Sequence, residues 1–297
     1  SDLTSLLLSR RRHAACIYNG NLYLAVGEYP ADGGVPILKY TILTDTWSTE
    51  TINEPTENLL EVSHHGIVYG TKMYIVGGRN KASPYLYTSV RINIYDFSTQ
   101  TWSTGATFSP VIGQSNSDAC GYQDKIYYVE SNIDTQISRM LIYNITNNTW
   151  STGATFDSNG VSLRDYSLAS GNNGKIYLFG GKKHDNTYFN TYIWIYNIAN
   201  NTWTQDIQDT GIAGRCRATM ELYDNKLYYL GGTNENGTIV ADNFRRSTGL
   251  VSPATGAWQP QSSLYIYDFK LTLNERIELP LSDEEVFTQV VTRGIDA

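Results

Sequence analysis

The sequence predicts an all-β protein assembled from repeats of four short strands, and three observations carry that prediction. A tyrosine recurs in one frame at Tyr23, Tyr74, Tyr127, Tyr177 and Tyr228, with spacings of 51, 53, 50 and 51 residues. A tryptophan recurs after a polar turn at Trp47, Trp102, Trp150, Trp203 and Trp258, so five of the six tryptophans occupy one repeated position; Trp194 is the exception. The phrase WSTGATF stands at both Trp102–Phe108 and Trp150–Phe156, as one strand of two neighbouring repeats would. Self-similarity at such a period is the signature of a repeat architecture.

Each repeat reads as four strands in order. In the second, HHGIVY is the first of four alternating or aromatic-rich runs that read as strands. KMYIVGG is the second, and its counterparts are NLYLAVGE, KIYYVES, KIYLFGG and KLYYLGG. Glycines close this strand, where the chain needs backbone angles or close approaches that a Cβ blocks. Val26-Gly27 and Glu130-Ser131 replace Gly-Gly in the first and third repeats, so those corners are expected to bend differently. VRINIYDF is the third strand and TWSTGA the fourth, opened by the tryptophan. The Gly-to-Trp distance is 20, 24, 19, 22 and 26 residues along the five repeats.

This Gly-Gly/Tyr/Trp frame over roughly residues 10–262 resembles the kelch repeat. The resemblance implies a β-propeller, in which each repeat folds as one twisted blade and the blades pack radially about an axis. The repeated Trp, Tyr and Gly then read as core and turn residues, with the aromatic rings filling the space between blades. The whole chain, 1–297, is expected to be a single propeller domain with repeats at about 10–58, 59–111, 112–161, 162–212 and 213–262. The last 35 residues hold three strand-like runs, LYIYDFKL, ERIELPL and EVFTQVVT. Together with residues 1–9 (Asp2–Leu8 as the fourth strand) they predict a sixth blade closed by both chain ends, which would seal the ring's exposed edges. The alternative is five blades, with SLYIYDF as a third strand and Thr233–Ser262 a long insertion.

Composition narrows function mainly by exclusion. A net charge of −7 is the wrong sign for a nucleic-acid backbone. No 18-residue apolar run predicts a membrane span. Three cysteines, Cys16, Cys120 and Cys216, with no CxxC, indicate neither a disulfide framework nor a zinc knuckle. GxSxG, HExxH and phosphate-loop patterns are absent, so no catalytic residue and no cofactor is assigned. His64 and His65 are neighbours that a strand would point to opposite faces, and His13 aligns with His64, so no metal site is assigned either. The Asn/Thr/Tyr-rich surface with few charges suits an extracellular, cell-surface or virion setting better than the cytoplasm. The sequons at Asn144, Asn147, Asn200 and Asn236 would be glycosylated only in a eukaryotic secretory pathway.

Binding is expected on one face. Turns between first and second strands (YNGN, YGTK, YQDK, NNGK, YDNK) and between third and fourth (TDT, STQT, TNNT) are tight. The other two classes of connection are long, including EYPADGGVP, RNKASPYLYTS, KKHDNTYFNT and QDTGIAGR, and in a blade meander both emerge on the same face. Thirteen residues before the shared tyrosines stand Arg10, Glu61, Gln114, Arg164 and Arg215; eleven before stand Arg12, Ser63, Asn116, Tyr166 and Arg217. Arginines from separated repeats could converge there on a carboxylate or phosphate, through their bidentate forks. The bland reading is that each arginine pairs with an acid on a neighbouring blade and ties the ring together. Tyr29, Tyr85, Tyr87, Tyr188 and Phe189 add loop aromatics suited to stacking on a sugar or peptide. The leading expectation is a non-enzymatic module binding a protein or glycan. The chain is also similar to compact kelch proteins of the sialic acid mutarotase type, which implies an Arg-bearing funnel for a sugar acid. Ring-opening proton transfer there would need an acid/base pair, for which Glu61, Asp165 and Glu221 are candidates. A purely architectural spacer is the third reading.

Overall fold

The computed structural model describes residues 13–26, 36–51, 66–77, 90–109, 118–131, 137–156, 163–171, 173–183, 189–206, 214–240, 243–247 and 259–260. These form five antiparallel four-stranded sheets, one for each Tyr/Trp repeat. The first holds β1 (Ala14–Tyr18), β2 (Asn21–Ala25), β3 (Ile37–Thr41) and β4 (Thr46–Thr51). The second holds β5 (Gly66–Tyr69), β6 (Lys72–Val76), β7 (Ile92–Asp96) and β8 (Thr101–Thr104). The third holds β9 (Ala119–Tyr122), β10 (Lys125–Ser131), β11 (Ser138–Asn144) and β12 (Thr149–Phe156). The fourth holds β13 (Leu163–Gly171), β14 (Lys175–Lys183), β15 (Trp194–Asn197) and β16 (Thr202–Gln205). The fifth holds β18 (Thr219–Tyr223), β19 (Lys226–Leu230), β21 (Asn243–Ser247) and β22 (Gln259–Pro260). A two-stranded ribbon, β17 (Arg215–Cys216) with β20 (Thr233–Asn234), leads into that last sheet.

Five blades are therefore present among the described residues, the alternative count. The sixth blade falls on residues 1–9 and 263–297, which lie outside the described residues. The third strand of the fifth sheet, however, is NFRRS at Asn243–Ser247, paired with Lys226–Leu230, rather than the expected SLYIYDF, and it falls inside the stretch Thr233–Ser262 expected as an insertion. Its short apolar content hid it. Phe244 packs against the cluster formed with the fourth blade, while Arg245 faces water.

From the first blade to the fifth, successive blades meet through buried aromatic and aliphatic side chains. Tyr127, Val129, Met140, Phe156, Leu168, Ile176, Leu178 and Tyr196 form one buried cluster between the third and fourth blades. The innermost strands approach closely enough to bond directly. Ser170 Oγ donates to the Gly121 carbonyl at 2.5 Å, and the Leu168 N–H to Asp118 Oδ2 at 2.7 Å. Ser167 Oγ donates to the Ala218 carbonyl of the fifth blade. The corner after the second strand is left-handed at Gly77 and Gly231, Val26 lies in the same region at φ +53°, and in the fourth blade the left-handed Gly180 sits within β14, which pairs on to Lys183. At Glu130-Ser131 the strand runs straight on, pairing with Arg139 and Ser138.

The repeated phrase has a mechanical explanation. In the second and third blades its Gly-Ala pair is gripped by the following blade. Asn148 Oδ1 accepts both the Ala106 N–H (2.6 Å) and the Tyr143 hydroxyl (2.7 Å), while Trp150 Nε1 donates to the Ala106 carbonyl (2.7 Å). One blade on, Asn201 Oδ1 accepts the Ala154 N–H (2.6 Å) and the Tyr196 hydroxyl (2.8 Å), and Trp203 Nε1 donates to the Ala154 carbonyl (3.0 Å). The preceding residue must be glycine: a Cβ on Gly105 or Gly153 would lie 2.5 Å from Tyr143 Oη or 2.7 Å from Tyr196 Oη. Between the first and second blades, Glu50 and Gln100 occupy the corresponding places, and Trp102 Nε1 is buried without a hydrogen-bond partner.

Candidate functional site

The start of each innermost strand is where the aligned arginines were expected, and two of them are brought together across a blade boundary. β13 runs from Leu163 beside the end of β14, with Arg164 opposite Lys182. The next residue, Asp165, has a left-handed backbone (φ +57°) and a side chain with no exposed surface. From the fifth blade, Arg217 is also left-handed (φ +59°) and donates its N–H to the Asp165 carbonyl at 2.9 Å. That backbone bond draws the Arg217 side chain over the carboxylate, with Nε 3.4 Å from Asp165 Oδ2. Arg164 Nη1 stands 4.0 Å from the same oxygen. Asp165 is thus the hub of an Arg164–Asp165–Arg217 constellation spanning two blades.

The two arginines are not equivalent. Arg164 is largely covered, whereas 47% of the Arg217 side chain remains exposed. A guanidinium held through Nε still presents its two terminal nitrogens, the pair that forms a bidentate fork with an anion. Lys182 extends the basic surface, with its Nζ 6.0 Å from the ring centre of Phe189, one of the expected loop aromatics. Burial pushes the Cys216 thiol up and Asp165 adds to the rise, while Lys182, Arg217 and Arg164 oppose it; all four charges act within one neighbourhood. Cys216 itself is buried and serves as filling.

Arg215 has a different place. It is 5% exposed, reaches the Gly231 carbonyl at 3.4 Å, and lies 4.8 Å from the ring centre of Phe244 within its own blade. Asp165, named in the sequence only as a candidate acid/base group, is the residue on which the arginines meet. Its signal is weak, because the corresponding positions in other repeats are Arg11, Val62, Ser115 and Cys216. Glu221 sits in β18, one of the innermost strands. Arg10, Arg12, Tyr29, Tyr85, Tyr87 and Tyr188, together with Glu61, His64 and His65, lie outside the described residues. Among the described residues no three His, Cys, Asp or Glu side chains gather where a metal ion would be held, and no helix is long and apolar enough to cross a membrane.

The Kelch motif matches residues 164–205, a span that begins at Arg164 and covers nearly all of the fourth blade. No curated protein matches the chain.

Proposed function

We propose, from the premise that the chain is a kelch-repeat β-propeller, that it is a non-enzymatic recognition module binding a protein or glycan through its loop-rich face. One observation carries this reading. Arg164 and Arg217, from different blades, are held on a buried carboxylate while the outer side of Arg217 remains open to a ligand. A scaffold that fixes cations on a rigid base while leaving a fork exposed lowers the ordering cost of binding an anionic group. Arg10, Arg12, Tyr29, Tyr85, Tyr87 and Tyr188 would extend the contact surface, whereas the buried Arg215 is held within its own blade. The ligand carries a carboxylate or comparable anion, borne by an acidic sugar or an acidic side chain.

The test is a glycan array and an acidic-peptide array probed with the wild-type protein and with Arg12→Ala, Arg164→Ala and Arg217→Ala. Arg217→Ala is expected to weaken retention of acidic ligands at least tenfold, corresponding to about 1.4 kcal/mol. Equal retention by all three variants removes the arginine surface from the function. An anomer-exchange measurement on sialic acid, followed by NMR, separates a binder from an enzyme of the mutarotase type. Acceleration that disappears in Asp165→Asn would replace recognition with catalysis.

A further inference from the structure

The grip that closes the boundaries between blades two and three, and between three and four, is uncharged. At the boundary between blades four and five it is rewritten in charged residues. Leu227 pairs with Arg246 as Ile176 pairs with Tyr196, so Arg246 stands at the gripping tyrosine's position. Asp206 follows Trp203 by three residues, as Gly153 follows Trp150. Its N–H bonds to the Ile193 carbonyl at 2.8 Å, just as the Gly105 N–H bonds to Ile92 at 3.0 Å. The two replacements meet: Arg246 Nη2 lies 2.7 Å from Asp206 Oδ2, with the arginine side chain 5% exposed. In the sequence the gripping asparagine has become Gly256. At the inner edge of the same boundary Arg217 contacts Asp165. Both ion pairs cross from one blade to the next, and in both the cation belongs to blade five and the acid to blade four.

We infer that the boundary between the fourth and fifth blades is the electrostatic joint of the ring, at which the fifth blade releases as a unit while blades two to four stay locked. A neutral grip leaves polar groups unpaired when it opens and regains little beyond ordinary hydration. The covered Arg246 guanidinium and the buried Asp165 carboxylate regain strong hydration when the boundary opens, so separation is comparatively easy. Burial lowers the Arg246 pKa, which Asp206 opposes; the cation is tolerated there through its partner. The Arg164–Arg217 surface straddles this joint, but the inference stands on the ion pairs whether or not that surface binds a ligand.

Hydrogen exchange on the full chain in sub-denaturing urea tests it. Amides of β18 and β19, such as Met220, Leu227 and Tyr229, are expected to exchange through a smaller, earlier opening than Ile126 and Tyr128 of β10 or Ile176 of β14. Asp206→Asn should speed exchange in β18 and β19 by about 10- to 100-fold, with β10 changing less than twofold. Asp206→Ala/Arg246→Leu, which replaces the pair by apolar groups, should slow exchange in β18 and β19 to about three- to tenfold below wild type, and rates at or above wild type overturn the inference. A single opening with one urea dependence for all blades overturns the inference. So does Asp206→Asn if it leaves blade five unchanged or speeds β10 equally. Should that variant fail to fold, the wild-type urea series alone decides.

Discussion

Gly153 and Asn201 act on one another through Tyr196, whose hydroxyl fills the space a Cβ on Gly153 would claim and bonds to the asparagine. Gly153→Ala forces that hydroxyl away and should cost about 1–3 kcal/mol. Asn201→Ala leaves the Ala154 N–H and the tyrosine unpaired, at a similar cost of about 1–3 kcal/mol. Because both changes break the same grip, the double variant should lose about 1 kcal/mol less than the sum, readable as a coupling energy from urea unfolding. Strict additivity would show the contacts to be independent. The arginines illustrate how far single residues were legible. Their alignment in the repeat frame was plain, but their unequal exposure was not. The left-handed backbone at Asp165 and Arg217 breaks the strand alternation on which a sequence reading of facing side chains depends.

Among elements, the tight turns were the easiest to read and one is imperfect. Blade two turns through Gly70 at φ +61°, and blade three puts the exposed Gln123 at the same place with φ +55°. An L side chain is disfavoured there, so Gln123→Gly should raise stability by about 0.5–1 kcal/mol, seen as a higher urea midpoint with unchanged slope. Four strands per blade, their order and the inter-blade tryptophans followed from the Tyr/Trp period alone. The grip did not, because its halves sit in different repeats: Gly-Ala in one, an asparagine two residues before tryptophan in the next. Comparing equivalent positions conceals this, whereas comparing each repeat with its successor would have found it. The third strand of the fifth blade was missed for a related reason, since NFRRS exchanges the repeat's tyrosine for Arg246.

At the scale of the molecule, the packed tyrosines govern behaviour in alkali. Burial, followed by the nearby Glu50 charge, pushes Tyr23 and Tyr95 up to about 12. Burial, followed by its bond to Asp45, does the same for Tyr40. The unfolded chain ionises its tyrosines near the ordinary value of 10.0. The folded state therefore holds these protons more tightly; the stability is intact below pH 10 and is lost as pH climbs from 10 through 12. Absorbance at 295 nm should show one tyrosine class titrating near 10 and a second appearing only with unfolding; a single class near 10 contradicts the packing. The grip also sorts the blades by what they can join. Blade two offers only the Gly-Ala half to its successor, blade four only the Tyr–Asn–Trp half to its predecessor, and blade three carries both. The segment from Asp118 to Phe156 is accordingly its own complement, head to tail. Copies spliced in tandem would each find a socket already cut for them, so the ring could be lengthened at that one link of the chain.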